Sequence, residues 1–177
     1  MVTMSSDMSN EPLAPVEEAL DAFWTRAITA ARLNPAEAVM GQDDRLSLRP
    51  SAWAFGITRE EADELCALVL SGKKTATSSY GPAYAPGEGR PEAGDFSILL
   101  DGSGMPRALL QNDRIAVTPF NQVGEDVARA EGEGDLSLEY WKAEHERVFA
   151  EDAKASGAEF DPSGDVITEF FTVLYQH

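Results

Sequence analysis

Gly72-Lys73-Lys74-Thr75-Ala76-Thr77-Ser78-Ser79 sets an adjacent lysine pair beside four hydroxyl side chains, in a chain with 14 Lys and Arg against 31 Asp and Glu. A lysine next to a hydroxyl can serve as the base that activates it, or as a fixed cation for a developing oxyanion. The plainer reading of Lys73 and Lys74 is a pair of helix-end cations facing the dipole. In a strand the two lysines point opposite ways, so a site joining Lys74 to Thr77 demands a turn or a bulge. A nucleotide-triphosphate loop is excluded: the glycine it needs five residues before Gly72 is Ala67, and no buried strand precedes the run.

A second chemical stretch is Glu131-Gly132-Glu133-Gly134-Asp135, three acids separated by glycines. It reads as a solvated loop whose glycines would let a carboxylate backbone approach a ligand closely. Its spacing matches no calcium loop. His145 lies one helical turn from Trp141 and reads as a structural histidine bonded to backbone. The other histidine is His177, so neither a histidine metal cluster nor a Ser-His-Asp triad is available. Neither a metal nor a cofactor is expected. Chemistry then falls to Lys, Thr or Ser, Glu or Asp, and Tyr. The single Cys66 sits on an apolar helical stripe as a buried structural thiol, which fits a reducing cytosol.

These residues need elements to hold them. Val16 to Leu33 has helical apolar spacing at Leu20, Phe23, Trp24 and Ala27, closed by Asn34-Pro35. Trp53 and Phe55 read as core anchors of a mixed segment. Thr58-Arg59-Glu60-Glu61 is a capping-box pattern opening a helix that Gly72 ends. The hydroxyl run follows as a short strand, and residues 80–94, with three prolines and four glycines, form a long loop. Asp95 to Leu100 is a strand, 101–104 a turn, and Arg107 to Leu110 and Arg114 to Phe120 two further strands. Val123 to Ala130 and Leu136 to Lys154 are helices, and Asp165 to Tyr175 is a last strand. Strands with helices at the two ends predict a small α+β barrel.

Composition bounds the rest. At 177 residues, with 43% hydrophobic and 25% charged residues, one globular domain is expected over residues 16–177, behind a loose polar tail over 1–15. No apolar run approaches the roughly 20 residues of a membrane span, so a cytoplasmic protein without a membrane partner is expected. A net charge near −17 disfavours tight binding to long nucleic acid, which depends on Lys and Arg releasing counterions. A single nucleoside, or a short strand in a locally basic pocket, remains compatible.

Gly72-x-Lys74-x-x-Thr77, Gly94-Asp95 opening a strand, and Glu131-x-Glu133 before a helix together resemble the ASCH-domain family. The likeness runs from about Trp53 to Tyr175, and the amino-terminal helix with Phe23-Trp24 fits a longer branch. The resemblance implies a PUA-like β-barrel flanked by helices and an association with RNA and modified nucleosides. In one branch it implies an amidohydrolase that removes acyl groups from N(4)-acetylcytidine and related cytosines, with catalytic positions mapping onto Lys74, Thr77 and Glu133. Lys73, Ser78, Tyr84, Ser137 and Trp141 would then contact a nucleoside or nucleobase. Other relatives imply a single-strand-specific ribonuclease using Lys73, Lys74 and Ser137 on short RNA, or a non-catalytic reader of modified nucleosides.

Overall fold

Thr58 and Glu61 close the expected capping box. The Glu61 amide donates to Thr58 Oγ1 at 3.2 Å, while Glu61 Oε2 accepts from the amides of Thr58 at 3.2 Å and Ile57 at 2.7 Å. Three amides at the head of Arg59–Leu70 are thereby satisfied by side chains four or fewer residues away.

The computed structural model describes residues 10–33 and 49–177. Among them the elements are α1 (Glu17–Ala30), β1 (Ala52–Ala54), α2 (Arg59–Leu70), β2 (Ala76–Tyr80), β3 (Phe96–Leu100), β4 (Pro106–Pro119), α3 (Glu125–Glu131), α4 (Leu138–Ala155) and β5 (Asp165–Gln176). The strands form one five-stranded sheet in the order β1-β3-β4-β5-β2, the α+β class expected. β1 runs parallel to β3 with Trp53 opposite Leu99, and β2 runs antiparallel to β5 with Ala76 opposite Phe170 and Tyr80 opposite Val166.

The chain divides into two compact units. Of the described residues, those up to Ala67 with Phe96–Leu110 and Leu174–His177 form the first; Leu68–Asp95 with Gln111–Val173 form the second. In the first, Leu20, Phe23, Trp24 and Ala27 recur at helical spacing and bury against Ile98, Leu100 and Leu109. Cys66 is buried there, and burial pushes its thiol up to about 11, so it is a packed rather than a reactive group. In the second, Tyr80, Phe120, Trp141, Phe149 and Val166 form an aromatic core, with Tyr80 and Phe149 stacked at 5.5 Å.

Three expectations change. The tail is tied down over residues 10–15: Leu13 and Val16 amides donate to the Gly102 and Gly104 carbonyls, and the Arg59 amide donates to the Asn10 carbonyl. Residues 1–9 of that tail, and 34–48 with the Asn34-Pro35 stop, lie outside the described residues. Within the segment read as mixed, Trp53 belongs to a three-residue strand, and both it and Phe55 are half-buried, packed edge to face at 4.6 Å. The two strands expected at 107–110 and 114–120 are one, because the polar Asn112 between them stays in the ladder. Its amide donates to the Asp95 carbonyl and its carbonyl accepts from the Gly94 amide.

Candidate functional site

Gly72 takes a φ of +78°, the left-handed conformation that ends α2, and the amides of Lys73 and Lys74 both turn back onto the Leu68 carbonyl at 3.0 Å. This turn carries Lys74 off the helix surface and into the interior, where it is only 1% exposed. Next, Thr75 donates its amide and its Oγ1 to the Ala130 carbonyl, at 2.7 and 3.2 Å, and accepts the Phe171 amide at 3.0 Å. The start of β2 is therefore knitted to the end of α3 on one side and to β5 on the other. Gly132, at φ +69°, caps α3 against the Lys73–Lys74 backbone, and a Cβ there would run into the Lys73 carbonyl.

That contact places two carboxylates around one ammonium. Lys74 Nζ lies 2.6 Å from Glu133 Oε1, 3.4 Å from Glu131 Oε2 and 3.5 Å from the Glu131 carbonyl. An ammonium has three donors and no acceptor. Glu131 is buried at 1% exposure because it shares a face of α3 with Val127 and Ala128, both buried. Its Oε1 accepts from Trp141 Nε1 at 2.9 Å, its Oε2 lies 3.2 Å from His145 Nε2, and the Ser78 hydroxyl donates to it. Burial alone would raise its proton affinity, but the hydrogen bond from His145, the charge of Lys74 and the Ser78 hydroxyl bring it down to about 2. His145 Nδ1 sits 2.9 Å from the Trp141 carbonyl, with the two rings stacked at 4.1 Å. Both ring nitrogens thus face oxygens, the Trp141 carbonyl and the Glu131 carboxylate. Glu133 differs from its neighbours: its side chain is 25% exposed, the carboxylate of the cluster that reaches solvent.

The faces of β2 sort the hydroxyls. Ser78 bonds Thr168, its partner on β5, at 2.9 Å and shares the Glu131 side with Ala76 and Tyr80. Thr77 lies on the opposite face, across from Glu169, with Thr75 two residues before it and Ser79 two after. The register from Ala76 to Tyr80 contains no bulge, and the turn over residues 71–73 lies before Lys74, so neither device joins Lys74 to Thr77. Because Ala130 holds Thr75 Oγ1 while Glu131 holds Ser78, the end of α3 straddles the edge of β2.

The sequence-predicted residues therefore divide. Lys74 and Glu133 meet directly. Thr77 is half-buried on its own face, its hydroxyl without a hydrogen bond among the described residues. Lys73 is exposed on the Gly72 turn. Tyr84 OH bonds Ser79 Oγ at 3.0 Å, its ring lies 5.7 Å from the Arg90 guanidinium, and it lines an open cleft of about 300 Å³ with Ala83, Glu88 and Asp152. Two expected ligand contacts are structural here. Trp141, 3% exposed, spends its indole N–H on Glu131, and Ser137 caps α4 by accepting the Tyr140 amide at 3.0 Å. Glu131, read from sequence as part of a solvated loop, is the buried hub of the cluster. The signal for it was present: Val127, Ala128 and Glu131 have the spacing of one helical stripe. Among the described residues no three His, Cys, Asp or Glu side chains converge as metal ligands do.

The model of the ASCH domain matches residues 51–175. The ASCH domain from Lactobacillus crispatus JV V101 superposes with a TM-score of 0.69 at 27% identity, covering 84% of this chain and 96% of its own. Protein EF3133 from Enterococcus faecalis V583 superposes with a TM-score of 0.73 at 31% identity, covering 92% of this chain and 97% of its own. No curated protein matches in sequence.

Proposed function

The chain belongs to the ASCH domain family, whose members are RNA-binding or hydrolase-like modules, and on that premise we propose that it hydrolyses the acyl amide of an N(4)-acylated cytosine. One observation carries the reading: a fully buried Lys74 holds, at 2.6 Å, a Glu133 carboxylate that is open to solvent. The Lys74 ammonium is already engaged by two carboxylates and a carbonyl. Glu133 is therefore the base and water the nucleophile, rather than Lys74 activating Thr77.

The steps balance simply. Glu133 takes a proton from water as the oxygen attacks the acyl carbon, giving a tetrahedral oxyanion. Negative charge has then moved from Glu133 to that oxyanion, and the buried Lys74 ammonium is counterion to both without touching substrate. Collapse breaks the carbon–nitrogen bond, the Glu133 proton passes to the exocyclic nitrogen, and a carboxylic acid and the free cytosine amine leave. Thr77 contributes a hydroxyl to bind the substrate.

The experiment is release of cytidine from N(4)-acetylcytidine, run beside a labelled single-stranded RNA with and without chelator. Deacylation without RNA cleavage is expected, and Glu133→Gln should cost about 10²–10⁴ in kcat, the typical worth of a general base. Thr77→Ala should act mainly on KM. Near-full turnover in Glu133→Gln, or no deacylation by the wild type, sinks the proposal.

A further inference from the structure

Glu131 has no part in the hydrolytic steps, yet its side chain and that of Lys74 are both only 1% exposed. A buried ion without a partner changes its protonation state rather than stay charged. Lys74 Nζ meets Glu133 Oε1 at 2.6 Å, Glu131 Oε2 at 3.4 Å and the Glu131 carbonyl at 3.5 Å. The two carboxylates differ in kind. Glu131 is fixed from other sides as well, by Trp141 Nε1 on Oε1, by His145 Nε2 beside Oε2 and by the Ser78 hydroxyl. These neighbours and Lys74 hold it at about 2, against its burial. Glu133 is 25% exposed and can exchange a proton with water. Around it stand Lys74 from the Gly72 turn, Glu131 from α3, Asp135 from the following loop, and Tyr140 from α4, whose hydroxyl feels the charges of both Glu133 and Asp135.

In the hydrolytic steps Glu133 is neutral from the attack of water until the amine leaves. Over that interval its contact with Lys74 is no longer an ion pair. We propose that Glu131 is a positioning residue that stays ionised throughout and keeps Lys74 an ammonium while Glu133 gains and loses a proton. No proton enters or leaves Lys74 or Glu131: water gives its proton to Glu133, and Glu133 passes it to the exocyclic nitrogen. The cluster therefore still presents a cation when the oxyanion forms, which a neutral amine would not be. Without the Glu131 charge, Lys74 would depend wholly on an ionised Glu133. Glu131 Oε2 and Glu133 Oε1 touch one nitrogen and so lie within about 6 Å of each other, close enough in a protein interior for one charge to act on the other.

This inference rests on the general-base reading above, and its first test needs no turnover. The chain has four lysines, at 73, 74, 142 and 154, so each Nζ can be followed by nitrogen-15 NMR after lysine labelling. Glu133→Gln stands for the protonated Glu133 of the reaction. In that variant Lys74 should still give an ammonium signal from about pH 7 to about pH 9, whereas the double variant Glu131→Gln, Glu133→Gln should show a neutral amine, as a buried lysine without a counterion does. Kinetics on N(4)-acetylcytidine are the second test. Glu131→Gln should lose about tenfold in kcat with KM little changed, and the acid limb of its kcat/KM profile should move to lower pH. Glu131→Asp, which keeps the charge, should keep the wild-type limb. A mere loss of folded protein lowers the rate at every pH alike and leaves the limb in place. A neutral Lys74 in Glu133→Gln, an ammonium that persists with both carboxylates removed, an unmoved limb in Glu131→Gln, or a Glu131→Asp limb that moves with it overturns the assignment. An ammonium that depends on Glu131 in a protein that releases no cytidine overturns the hydrolase reading alone.

Discussion

Glu131 owes its low proton affinity to neighbours that only the fold supplies: His145, Lys74 and Ser78 outweigh a burial that works against the charge. Its folded-state value of about 2 lies below the ordinary 4.5, so its contribution to stability is complete above about pH 4.5 and drains away as pH falls through about 2. The shift corresponds to something on the order of 3 kcal/mol. Urea midpoints between about pH 7 and about pH 3 should therefore fall more steeply in the wild type than in Glu131→Gln, which lacks the titration. Parallel curves would show that the cluster does not hold an ionised Glu131. At this scale the sequence was partly legible. Lys74 and Glu133 stood out by type and spacing, whereas Glu131 hid among acids because its partners lie 10, 14, 53 and 57 residues away.

Local patterns resolve local elements, and the ends of α2 show it. A capping box acts over three residues, so Thr58 and Glu61 announced the start of α2, as Gly72 announced its stop. β1 and the middle of β4 were not legible for the converse reason. Three residues paired in parallel to β3 carry no period of their own, and Asn112 suits a strand only because Glu169, 57 residues on, receives its amide. The Gly132 turn that presses α3 onto the lysine pair is the element-scale device on which the site depends. Gly132→Ala should cost about 1–2 kcal/mol for the left-handed conformation, plus displacement of the Lys73–Lys74 backbone and loss of deacylase turnover. Gly157 has a similar φ of +79° with nothing within 4 Å of its Cβ position, so Gly157→Ala should pay the conformational cost alone and keep activity. Equal urea midpoints and equal turnover in the two variants would mean that the close approach at Gly132 positions nothing.

Charge belongs to the whole molecule, and here it argues about substrate size. A net charge near −17 repels a phosphate chain at long range, and the cation nearest Glu133 is already matched by two carboxylates. Lys73 is exposed beside it, but one lysine does not make a basic groove. Electrostatics therefore favour an uncharged nucleoside or base over an oligonucleotide bearing the same acylated cytosine. Salt separates the two. A site that neutralises phosphates loses about threefold in affinity per contact between about 50 and about 200 mM salt, since each contact releases condensed counterions. A nucleoside carries no phosphate, so its KM should hold nearly constant over that range. The acylated oligonucleotide should bind no more tightly at low salt than the nucleoside does. If instead it binds more tightly, with an affinity that falls steeply as salt rises, the chain tracks phosphates despite its charge, and the physiological substrate is RNA.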